Sequence, residues 1–107
     1  MIVLILARLN KMARIKPSMM TVKFLNIPEQ ILQDDWSAYD RAKSTYIERF
    51  VFDGTESWEV DYLAGKIRKF NPSLTISFIR SVILTCHDQM PAPRQRDQFV
   101  RFVMTKI

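Results

Sequence analysis

The chain has 107 residues, 48% hydrophobic and 25% charged, which is enough for one compact domain and too little for a large multidomain enzyme. Seven Phe, three Tyr and two Trp supply bulky core material and exclude disorder of the whole chain, while only two Gly argue against turn-rich sandwiches and barrels. A net charge of +5 and a pI near 9.7 point towards nucleic acid or an anionic membrane, but the excess is confined to one end.

Residues 1–24 carry Arg8, Lys11, Arg14, Lys16 and Lys23 and no acid, whereas residues 25–107 hold eleven bases and eleven acids. The body is therefore neutral overall. The apolar run of residues 1–7 stops at Arg8, far short of the roughly 20 residues that a membrane-spanning helix needs. Its charges follow the apolar run instead of preceding it, the wrong order for a secretory signal. Met1, Met12, Met19 and Met20 crowd this stretch, and the leading reading is a start assigned too far upstream. A basic amphipathic surface helix and a transit peptide are the other two. The expected organisation is an apolar, basic N-terminal extension over residues 1–24 and a single helical domain over residues 25–107.

A first helix is predicted to begin near Asn26, Ile27, Pro28 and Glu29, because Pro suits the first turn and an acid there meets the positive end of the helix dipole. Leu32, Trp36, Tyr39, Tyr46 and Phe50 recur at near-helical spacing, so one amphipathic helix of several turns is expected to run to Phe50. Gly54 is expected to close it with a left-handed cap. Thr55 then caps a second helix whose Val60, Leu63, Ile67 and Phe70 form a stripe, with Trp58 and Tyr62 widening it. Asn71 and Pro72 end that segment.

Ser73 is the expected cap of a third helix over residues 74–88, with Ile79, Val82, Ile83 and Cys86 on one face. Residues 74–79 also alternate like a strand, but no second strand of equal quality exists to pair with them, so helix is preferred. Two prolines stiffen residues 90–93. The last helix is predicted from about Arg94 to the C-terminus, with Phe99, Phe102, Val103 and Ile107 inward and Arg94, Arg96 and Arg101 mostly outward. The fold class is all-α, a small bundle of about four helices. Residues 27–53 contain six acids and three bases, and residues 91–107 four bases and one acid, a polarity that could guide head-to-tail contacts.

No catalytic constellation emerges. His87 is the single histidine, and beside Cys86 on a helix its ring points about 100° away, so the two do not form a nucleophile and base. It is read as an exposed or capping residue, and Cys86 as a buried small hydrophobe. One Cys excludes an internal disulfide and suits a reducing cytoplasm, and no zinc cluster is present. Asp34 with Asp35, and residues 53–59, fail as calcium loops, and two glycines leave no phosphate cradle. No cofactor and no metal are expected. An enzyme built on Asp34, Asp35 or His87 is the most distant reading.

Two binding readings remain. The leading one is a non-enzymatic interaction or adaptor module that engages protein, or a second copy of itself, through an aromatic surface of Trp36, Tyr39, Tyr46 and Trp58. The alternative is a weak nucleic-acid-binding regulator with a helix-turn-helix-like pair over residues 55–88. There Ser77, Arg80 and Ser81 would face bases or phosphates, with Arg94 and Arg96 as phosphate contacts. A neutral body with one Arg on the recognition helix supplies few of the phosphate contacts that a tight binder makes.

Overall fold

A computed structural model describes residues 26–107, and the readings placed on residues 1–24 lie outside them. Among the described residues the architecture is all-α: α1 (Ile27–Gln33), α2 (Ser37–Ala42), a 3-10 turn (Ile47–Phe50), α3 (Ser57–Phe70), α4 (Ile76–Gln89) and α5 (Arg96–Met104). None of these helices is long and apolar enough to cross a membrane. α3 packs on α4, α4 on α5, and α1 lies across α3 and α5. Between them sits one core of Ile31, Trp36, Tyr39, Phe52, Val60, Leu63, Ile67, Ile79, Ile83, Cys86, Phe99, Val100 and Val103.

The expected single helix from Asn26 to Phe50 is broken into three pieces. Asn26 starts α1 by accepting from Glu29 N at 3.0 Å, but the backbone turns extended at Asp34. Asp35 then accepts from Ser37 N at 2.9 Å, and Thr45 Oγ1 accepts from Glu48 N at 3.2 Å. These short polar side chains offer the backbone local partners that compete with a continuous helical ladder. The break rotates the apolar stripe apart. Ile31, Trp36 and Tyr39 go inward, with Trp36 Nε1 donating to Ile31 O at 3.0 Å, while Tyr46 and Phe50 are left outside.

Three caps also differ from expectation. Gly54 is not left-handed. A Cβ there would lie 2.4 Å from His87 Cδ2, so glycine is required by the close approach of that ring and not by backbone conformation. Thr55 does not cap α3. Its N and Oγ1 instead donate to Asp53 Oδ1 at 2.9 and 2.6 Å, which closes a turn one residue earlier and leaves Glu56 in the cap position. Thr75, not Ser73, caps α4 by accepting from Phe78 N at 3.2 Å, so that helix begins at Ile76.

The acidic and basic ends meet within the molecule. Arg101 forks onto Glu29 with both contacts at 3.0 Å, and Arg96 reaches Asp40 at 3.1 Å, so part of the charge polarity is satisfied inside one chain. Arg96 is consequently not an outward residue: its guanidinium lies 4.6 Å from the Trp36 ring centroid and 5.4 Å from that of Tyr39.

Candidate binding site

The turn between α2 and α3 is anchored to the linker before α5. Val51 bridges Gln95, Phe52 N donates to Arg94 O at 2.8 Å, and the Phe52 ring stacks on Phe99 at 4.6 Å. This pairing holds the end of α2, the 3-10 turn and the residue 92–94 segment around an open cleft of about 630 Å³. Lys43, Glu48, Asp53, Glu56, Trp58, Glu59 and Arg94 are among its lining residues.

Its inner wall is a buried polar knot. Glu59, at the start of α3, is only 2% exposed. Its carboxylate accepts from Tyr39 Oη at 2.7 Å, from Asp53 N at 3.0 Å and from Lys43 Nζ at 2.5 Å. Lys43 also donates to Val51 O at 3.0 Å. A buried carboxylate is tolerated only when its charge and lone pairs are matched in this way. Burial, and then the adjacent Glu59, push the Tyr39 phenol well above its ordinary range, so that it stays protonated as a donor. Hydrogen bonds from Thr55 hold the Asp53 carboxyl below the usual carboxylate range. Tyr39, Lys43 and Glu59 are therefore bonded to one another and to backbone, and serve as scaffold for the cleft.

Beside this cleft the 3-10 turn presents a second feature. Ile47 is 74% exposed and Tyr46 68%, and Phe50 is exposed next to them with its ring edge-to-face on Tyr46 at 5.3 Å. Arg49 lies 5.7 Å from the Tyr46 ring centroid. Phe78 and Leu84, the other exposed large hydrophobics among the described residues, stand six positions apart on α4.

The aromatic surface expected from sequence is thus corrected. Trp36 and Tyr39 belong to the core, Trp58 is half-buried in the cleft wall, and Tyr46 is at the surface. Of the residues assigned to nucleic acid, Ser77 and Ser81 are exposed, with Ser81 Oγ donating to Ser77 O at 3.1 Å. Arg80 is bonded to Asp61, Arg94 Nε donates to His87 O at 2.9 Å, and Arg96 stacks on Trp36. The five do not converge as one free basic surface.

His87 is also corrected, from exposed or capping to largely buried. Its ring sits against Gly54, its Nδ1 is 3.7 Å from Asp88 Oδ1, and its Nε2 is buried without a hydrogen-bond partner among the described residues. Asp34 and Asp35 lie at the α1–α2 break, whereas His87 is in the last turn of α4, and among the described residues no hydrogen bond or ion pair joins them. Asp34 engages Lys66 and Lys69, and Asp35 engages Ser37. Cys86 is buried in the core, and that burial pushes its thiol up, away from a reactive thiolate. Among the described residues no His, Cys, Asp and Glu side chains assemble into a group that could hold a metal ion.

No protein-family model, curated protein or solved structure matches the chain.

Proposed function

We propose that this domain is a protein-interaction module whose contact surface is the 3-10 turn and the cleft beside it. One observation carries the proposal: Tyr46, Ile47 and Phe50 leave three large apolar side chains in water within five residues of chain. Single exposed hydrophobics are ordinary, but a contiguous aromatic and aliphatic cluster on a short anchored turn has the composition of an interface anchor. The turn is held by the Val51–Gln95 bridge and the Glu59 knot, so the anchor is preorganised and loses less freedom on binding. The lone buried thiol suits a cytoplasmic setting.

The test places a photo-crosslinking phenylalanine analogue at Tyr46 of the full chain, with the same group at exposed Arg68 on α3 as control. The same discrete protein adduct is expected repeatedly from position 46 and not from position 68, and Ile47→Asp removes it. Adducts equal at both positions, or unaffected by Ile47→Asp, would refute the proposal.

A further inference from the structure

We infer that the partner contributes a basic segment bearing large apolar side chains, with a Lys or Arg entering the cleft towards Glu48 and Glu56 and apolar neighbours covering Ile47 and Phe50. This rests on the interaction-module reading and names the chemistry of what it binds.

The argument is one of unmatched charge. Arg101 holds Glu29, Lys66 and Lys69 hold Asp34, Arg96 holds Asp40, Lys43 holds Glu59, and Arg80 holds Asp61. The carboxylates of Glu48 and Glu56 meet no described partner, and both line the same cleft. Asp53 adds another carboxylate to the lining, and the cations there are Lys43, held by Glu59 and the Val51 carbonyl, and Arg94, whose Nε donates to the His87 carbonyl, so four acids face two bases and the cleft is net negative. A concavity with this negative excess attracts cations and repels anionic surfaces. A nucleic acid or an anionic lipid headgroup entering the cleft would meet Glu48 and Glu56 as like charges, whereas Arg49, against the Tyr46 ring on the same turn, is not among the cleft-lining residues. A segment carrying both cation and hydrophobe satisfies the cleft and covers the exposed side chains together, which neither kind of residue does alone.

The experiment is fluorescence anisotropy of the full chain with two short labelled peptides, one of leucine and lysine, the other of leucine and glutamate. The lysine peptide is expected to bind and the glutamate peptide to fail. Glu48→Gln with Glu56→Gln should weaken the lysine peptide about five-fold, and added salt should weaken it further. Carbodiimide coupling should join peptide lysines to Glu48 or Glu56. Both substituted side chains are exposed, and circular dichroism checks that the fold is unchanged. Equal binding of the two peptides, wild-type affinity of the double variant, or coupling confined to other carboxylates would overturn the inference. So would self-association that Ile47→Asp abolishes, since the occupant would then be a second copy. If the lysine peptide fails while the position-46 adduct still forms, the basic partner falls and the interaction module stands; if both fail, both fall.

Discussion

Lys43 and Glu59 meet at 2.5 Å inside the fold, with side chains 7% and 2% exposed, and through them the end of α2 is tied to the start of α3. Removing one member leaves the other as an uncompensated buried charge. Glu59→Ala is therefore expected to cost about 3–5 kcal/mol, measured by urea unfolding. Lys43→Met combined with Glu59→Met should recover part of that loss and not all, because Tyr39 Oη and Asp53 N would still lack the carboxylate that accepts from them. A single Glu59 variant as stable as wild type would remove the knot from the account of the fold.

The two glycines predict opposite outcomes. At Gly54 an added Cβ meets His87 Cδ2 and Cγ at 2.4 and 2.6 Å, so Gly54→Ala should destabilise by about 1–3 kcal/mol. His87→Ala in the same chain should relieve most of that, giving a large coupling in a double-mutant cycle. Gly65 lies within α3 with nothing within 4 Å of an added Cβ, and there Ala should stabilise by about 0.5–1 kcal/mol through helix propensity. Thermal midpoints of Gly54→Ala, His87→Ala, their double variant and Gly65→Ala check all of this.

The helices that were legible in the sequence are those whose interior positions repeat cleanly. In α3, Val60, Leu63 and Ile67 are buried as their spacing implies, and Ile79, Ile83 and Cys86 do the same in α4. The first segment misled because Trp36, Tyr39, Tyr46 and Phe50 imitate helical spacing across two breaks made by Asp35 and Thr45. Pattern alone does not weigh a side-chain cap against one more helical turn. Glu59 went unnoticed as an acid on a helix, although it precedes Leu63 and Ile67 by four and eight residues and so shares their inward stripe. That register is the signal that could have found the knot. The exposure of Ile47 had no comparable signal, since it follows from the 3-10 turn itself.

Acid should weaken the fold in a defined window. Burial raises the Asp34 carboxyl, but hydrogen bonds from Lys66 and Lys69 outweigh it and hold the group below its ordinary value of 3.8. The Thr55 contacts likewise depress Asp53. In each case the unfolded chain binds the proton more readily, so the stabilisation is fully present above the unfolded value and is lost as pH falls through the folded one. Urea midpoints should be level near neutrality and fall below about pH 4. Asp34→Asn should lower the neutral midpoint and flatten this acid limb, while an unchanged slope would mean that the lysine contacts add nothing to stability.

Arg96 separates a structural cation from a nucleic-acid contact. Its side chain is 14% exposed, reaches Asp40 at 3.1 Å and lies 4.6 Å from the Trp36 centroid, whereas Arg80 is more exposed and paired with exposed Asp61. Losing a planar guanidinium packed on indole removes both stacking and covered apolar surface, so Arg96→Ala should cost about 1–3 kcal/mol. Arg96→Lys should restore only part, because an ammonium keeps the charge without the planar contact. Arg80→Ala should cost under about 1 kcal/mol, as expected of an exposed pair. Labelled duplex DNA titrated with each variant at low and physiological salt provides the opposing test. A steep salt-dependent affinity that Arg80→Ala and Arg96→Ala both reduce, with urea midpoints unchanged, would restore the nucleic-acid reading and make α4 its recognition helix. A shifted midpoint for Arg96→Ala, with no salt-dependent DNA affinity to lose, assigns that arginine to the joint between α2 and α5.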